Sequence, residues 1–301
     1  MKLSRRKGMH KTLLLALLLT SLFSLQSFSC DEQGNSGIVE DNSLWIGPET
    51  KGPTTITKEE FNKILDRIDR IYRPIIKAKG GRLKITRNWD SGTVNAYARQ
   101  SGGVWEISMF GGLARHETIT ADAFALVACH ELGHHIGGAP KKTSWFGSSW
   151  ASNEGQADYF GNLKCMRKYM EEDDNVAIVA EMEVDAFVKE KCEEIFTNEE
   201  ESAICMRGGM AGLGLGNLFR ALRRLETPLS FTTPDSRVVP QTNHNHPAPQ
   251  CRLDTYFAGA ICDKPVSEDV SRRDAKIGTC NRVDDYETGI RPLCWYKPAN
   301  S

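Results

Sequence analysis

The stretch whose residue types could do chemistry is Ala128-Cys129-His130-Glu131-Leu132-Gly133-His134-His135, which contains the pattern H-E-x-x-H. Two histidines four residues apart fall on one face of an α-helix, one turn from each other, close enough to share a metal ion. Glu131, beside the first, sits where it can take a proton from a water on that metal. A catalytic zinc takes three protein ligands and leaves a fourth position for water. Extending the motif to H-E-x-x-H-x-x-G-x-x-H finds Gly137 at the glycine but Pro140 at the last histidine, and proline cannot ligate. A glutamate from a second helix is the alternative. Ser152-Asn153-Glu154-Gly155-Gln156-Ala157-Asp158 supplies one, 20 residues after His134. Glu154 and Asp158 share a face of that helix. The expected division of labour has Glu154 on the metal with His130 and His134, while Asp158 accepts the N–H of one ligating imidazole and fixes its tautomer. The exchange of the two carboxylates stays open.

Those residues require two helices packed closely together. Thr120 is a plausible cap for the first, Asp122 lies in its first turn, and Ala123 to Cys129 are apolar or small, as in a buried helix. Ser152 or Asn153 can cap the second, in which Ala157 and Gly161 are small enough for close approach. Upstream, Thr57 and Glu60 form a capping box, and Phe61, Ile64, Leu65, Ile68, Ile71 and Ile75 fall on one helix face. Pro74 is expected to end or kink that helix. Leu83-Lys84-Ile85 and residues 104–109 read as strands, with Ser101-Gly102-Gly103 as a turn. Residues 170–227 read as helices. Within them Glu171 to Asp174 form a solvated charge run, and Met210 to Phe219 a buried helix or cleft wall too short to cross a bilayer.

The 301 residues, 40% hydrophobic and 26% charged, suit a globular chain with ample length for a core. Removing Lys2, Arg5, Arg6, Lys7 and Lys11 leaves 33 basic against 39 acidic residues, which argues against a nucleic-acid partner. Those basic residues precede an apolar run from Leu13, and Ser27 and Ser29 flank Phe28 as at a cleavage site, so 1–29 reads as a signal peptide. Cys30 follows directly, as the lipidated cysteine of a bacterial lipoprotein would, although Ser27 stands where leucine is usual. Lipidation there would anchor the protein to a membrane; plain secretion is the other outcome. With Cys30 set aside, the other eight of nine cysteines are free to pair in an oxidising compartment. Residues 30–56, polar and rich in Gly, Pro, Ser and Thr, suit a tether. The catalytic domain is expected over 57–260, and a cysteine-containing C-terminal extension, a disulfide-held appendage, over 261–301.

Taken together, Asn95-Ala96-Tyr97-Ala98, the Gly-Gly turn, the strand at 104–109, Gly112-Leu113, H-E-L-G-H and E-x-x-A-D resemble the CAAX prenyl protease/HtpX-like family of gluzincin metallopeptidases. His246-Pro247-Ala248-Pro249 with Arg252 is similar to that family's C-terminal His-Pro…Arg segment. The resemblance covers roughly residues 83–257. It implies an α+β, zincin-like domain, mainly helical with a small sheet, whose edge strand at 104–109 binds extended substrate by strand addition. It also implies a transition-state role for His246 or Arg252. The expected function is an exported zinc endopeptidase, at the periplasmic side of a membrane or secreted, acting on protein or peptide substrates. One Zn2+ per chain would be held by His130, His134 and Glu154, with Glu131 as general base. The rival class is a periplasmic chaperone or assembly factor on a peptidase scaffold, which has no need of Glu131.

Overall fold

The structure, a computed structural model, describes residues 35–50, 56–144 and 147–298. The signal-peptide residues and Cys30 lie outside these. The chain enters as a short strand, β1 (Asn35–Gly37), and reaches helix α1 (Lys58–Ala78). The capping box closes at α1: the Glu60 amide donates to Thr57 Oγ1 at 3.2 Å, and the Thr57 amide donates to the Glu60 carboxylate at 2.8 Å. Contrary to expectation, α1 runs on past Pro74. Pro74 is exposed while Tyr72 and Ile76 on either side are buried, so packing of the neighbouring turns offsets the lost hydrogen bond.

Strands β2 (Arg82–Asn88), β3 (Ala96–Ser101) and β4 (Val104–Phe110) complete a four-stranded sheet in the order β1-β3-β4-β2. Gly102 and Gly103, at φ +54° and +76°, turn β3 into β4 in the left-handed region that glycine enters freely. The expectation that 104–109 forms an edge is overturned. β4 is central, antiparallel to β3 on one side and parallel to β2 on the other. Its Trp105, Ile107 and Met109 are buried, as the period of two requires. The strand beside the chemistry is β3, whose outer side is paired with β1.

A short helix, α2 (Gly111–Ala114), leads to α3 (Ala121–Ile136), capped by Thr120 as expected and buried almost throughout. The hairpin β5 (Lys141–Ser144) and β6 (Gly147–Ser152) follows. Helix α4 (Glu154–Phe160) continues through a π-helical turn (Gly161–Met166) into α5 (Arg167–Met170). Then come α6 (Asn175–Ala180), α7 (Ala186–Ile195), α8 (Glu199–Leu222) and α9 (Pro249–Ala260). α8 packs against both α3 and α9, so Met210–Phe219 is indeed part of a largely buried helix. No described helix is long and apolar enough to cross a membrane. The chain is α+β.

Three further expectations need correction. The charge run is not simply solvated: Asp173 bridges Arg67 (2.6 Å) and Arg207 (2.9 Å), and Arg207 reaches on to Asp122 at 2.7 Å. The span 30–56 is not a tether throughout. Ile38 is fully buried, Val39 and Ile56 nearly so, and the Ile46 amide donates to Gly92 O at 2.8 Å. A few apolar residues on a sheet edge are enough to fix a segment whose composition is otherwise that of a linker. Nor is 261–301 a separate appendage. Trp295 is fully buried against α4, where a Cβ on Gly155 would lie 2.3 Å from the indole. Arg291, also buried, donates through Nε to Gln156 Oε1 at 2.7 Å. All eight cysteines in the described residues pair, as Cys129–Cys165, Cys192–Cys205, Cys251–Cys294 and Cys262–Cys280.

Candidate metal centre

Helix α3 carries His130, Glu131 and His134, and α4 carries Glu154 and Asp158. Asn153 caps α4, its Oδ1 accepting the Gln156 amide at 2.9 Å, which sets Glu154 in the first turn. The helices touch where Gly133 faces Ala157: a Cβ on Gly133 would stand 3.0 Å from Ala157 Cα. The third histidine of the run, His135, stacks between Trp105 and Trp150 at ring separations of 5.6 and 4.8 Å and so pins α3 to the sheet and to β6.

His130, His134 and Glu154 each offer a ligand atom, all within 4.8 Å of one another. Nε2 of His130 and of His134 are 3.1 Å apart, and Glu154 Oε2 lies 3.3 and 3.7 Å from them. A tetrahedral zinc with bonds near 2.0–2.2 Å would set its ligand atoms about 3.3–3.5 Å apart, within this spread. The tautomers agree. His134 Nδ1 is 2.8 Å from Ser152 O, which can only accept, so that nitrogen carries the hydrogen. His130 Nδ1 donates to Asp158 Oδ1 at 2.7 Å. Both Nε2 lone pairs therefore converge, and the donor set fits zinc. Asp158 contacts the outer nitrogen of His130, so of the two carboxylates it is Glu154 that converges with the Nε2 atoms.

Lys142 Nζ sits 2.9 Å from Glu154 Oε1, which orients the carboxylate with Oε2 toward the rings. Burial would raise Glu154, but the charges of His246, His134 and Lys142 hold it well below the usual carboxylate range. Burial pushes Glu131 the other way, up to about 8, opposed by His130 and reinforced by Glu154. Neither Glu131 oxygen has a hydrogen-bond partner among the described residues. Burial lowers His134 well below its ordinary value. For His130 the same effect is outweighed by Asp158 and Glu154, which bring it up to about 9. One proton, or one metal ion, thus suffices between the two rings.

His246 reaches the site: its Nε2 is 3.3 Å from Glu154 Oε2 and 2.8 Å from Gly37 O, to which it donates. Arg252 is placed differently from its expected role at the reacting oxygen. Its guanidinium grips Asp158 with two bonds (2.8 and 2.7 Å), touches Tyr256 Oη at 3.2 Å and stacks 3.8 Å over Phe219. Burial would raise Asp158, yet Arg252 and His130 hold it at about 2. Arg252 thus holds Asp158, and its Nη1 also donates to Ile38 O at 2.5 Å.

His130, Glu131, His134, Glu154 and Asp158 are all fully buried. An open cavity of about 660 Å³ lined by Val179, Met182, Phe196 and Met206 shares no residue with them. Sequence reasoning missed Lys142, the Ser152 carbonyl and the Gly37–Val39 segment. Only Ser152 gave a signal, as a residue flanking the α4 cap. Compared with family models, with curated proteins and with solved structures, the chain has no match.

Proposed function

We propose that this protein is a zinc-dependent endopeptidase of the gluzincin type, with a zincin-like domain related to the CAAX prenyl protease/HtpX-like peptidases whose motifs it resembles. The observation that carries the reading is Glu131: a buried carboxylate with no hydrogen-bond partner among the described residues, in a helix whose histidine pair converges with Glu154. A pure binding protein has no use for it. The chemistry that a zinc ion supplies at such a site is Lewis acidity toward a carbonyl and acidification of water. Glu131 accepts the proton of the attacking water and later delivers it to the leaving amine. Asp158 and the Ser152 carbonyl hold the two imidazoles so that both Nε2 lone pairs face the metal position. Lys142 orients Glu154. His246 donates from Nε2 to the carbonyl of an extended chain, as it does to Gly37 O, and so stabilises charge developing there.

We further propose export, with a lipid anchor at Cys30; four disulfides support an oxidising compartment. The test is zinc content and casein cleavage of the purified protein and of its His134→Ala variant. About one zinc per chain and cleavage are expected in the parent, and both should be lost in the variant. Full zinc in His134→Ala would put the metal elsewhere.

A further inference from the structure

On the peptidase reading above, we propose that Gly37–Val39 is a resident pseudosubstrate: it fills the groove in which this protein binds extended peptides, and a substrate enters by displacing it. The segment runs antiparallel to β3 and against the metal centre, since one atom, His246 Nε2, touches both Gly37 O and Glu154 Oε2. Five consecutive main-chain groups are bound. Gly37 O accepts from His246 Nε2 at 2.8 Å, and the Ile38 amide donates to Ala96 O at 3.0 Å. Ile38 O accepts from Arg252 Nη1 at 2.5 Å. The Val39 amide and carbonyl are matched by the two ends of one amide, Asn95 Oδ1 (3.4 Å) and Nδ2 (3.1 Å). Any peptide carries these groups, so the groove reads backbone in the manner of strand addition.

Side-chain room sets the preference. A Cβ at position 37 would lie 3.0 Å from both Asn95 Oδ1 and Tyr97 Cε1, so glycine is selected there. Ile38 and Val39 are buried in the main core, which leaves places for two branched aliphatic side chains once they depart. The space left beside the segment, bounded by Val39, Glu40, Arg223 and Pro247, is about 10 Å³, the volume of one water probe. With the catalytic groups fully buried, no substrate reaches them while the segment is seated. Its exit is local, because the chain directly after it, Glu40–Trp45, is exposed. The inferred substrate class is an unfolded chain presenting glycine followed by two aliphatic residues.

The experiment uses the zinc-loaded protein and its Ile38→Ala variant, with Val39→Ala as a milder second should the first fail to fold. A labelled Asn-Ser-Gly-Ile-Val-Glu-Asp peptide is followed by fluorescence anisotropy, and casein cleavage is measured alongside. Because occupancy by the resident segment reduces apparent affinity in proportion, the variant should bind the peptide about tenfold more tightly than the parent and cleave casein about tenfold faster. Replacing the peptide's glycine by valine should weaken binding about tenfold. Peptide binding of this pattern without cleavage in any variant would uphold the groove and overturn the peptidase reading. Cleavage by the parent and both variants at one rate, with no peptide binding, would overturn the pseudosubstrate and leave the peptidase reading standing.

Discussion

Behind His130, three side chains lock one another: Asp158 holds the imidazole, Arg252 holds Asp158 with two bonds, and Tyr256 meets Arg252. In front, Glu131 is equally buried but has no hydrogen bond among the described residues, and the covering segment is three residues of extended chain on an exposed strap. The rear resembles the polar network of a protein core, where satisfied groups fix one geometry. The front holds a group whose burial raises its proton affinity and whose cover can leave. Rigidity and reactivity are thus separated by the thickness of one imidazole ring.

Five substitutions break or sharpen that contrast. Glu131→Gln removes the base at the front without touching the rear. Casein cleavage should fall at least 10²-fold, within the 10²–10⁴ typical of general-base catalysis, while zinc content and melting temperature stay as in the parent. An unchanged rate with intact zinc would sink the peptidase reading. Arg252→Met should do the reverse, leaving Asp158 charged and buried with the His130 N–H but no guanidinium to meet it. Such breaks cost about 3–5 kcal/mol, which urea unfolding of the disulfide-intact protein would register. Asp158→Asn is intermediate: about 10–100-fold in zinc affinity or turnover, and milder than Glu154→Gln. The opposite ranking of those two would make Asp158 the ligand. Smallest is Thr57→Ala, which removes a helix cap remote from either face. It should cost about 1 kcal/mol of stability and nothing in zinc binding.

What the sequence disclosed follows the same division. His130, His134, Glu154 and Asp158 were legible because helical spacing is local: i, i+4 pairs and a cap fix their faces without knowledge of the rest of the fold. The choice between Glu154 and Asp158 was not, since both lie on one face of their helix and only the contact of Asp158 with His130 Nδ1 tells them apart. The lateral order of strands was not legible. β4 looks like an edge when only its hairpin with β3 is considered, and becomes central because β2 pairs with it in parallel from across the sheet. Lys142 and the Ser152 carbonyl escaped notice because a hairpin brings them in; nothing near Lys142 marks it, and Ser152 was marked only as a candidate cap. Gly37-Ile38-Val39 was hidden by the linker-like composition around it, and Trp295 and Arg291 by a tail without periodicity.

The Cys129–Cys165 bond has a place in time as well as in space. Cys129 precedes His130 in the chain, and Cys165 lies in the π-helical turn that continues the Glu154 helix. Before oxidation the two ligand-bearing segments are free to drift, and two thiols beside the site compete with the imidazoles for a soft metal. Closing this 36-residue loop removes both problems, and the chain-entropy model assigns it about 4 kcal/mol. On the zinc reading, the order of maturation is oxidation first and metal second. Zinc added to the reduced, unfolded chain should slow formation of this bond, and a chain refolded in its absence should load the metal afterwards.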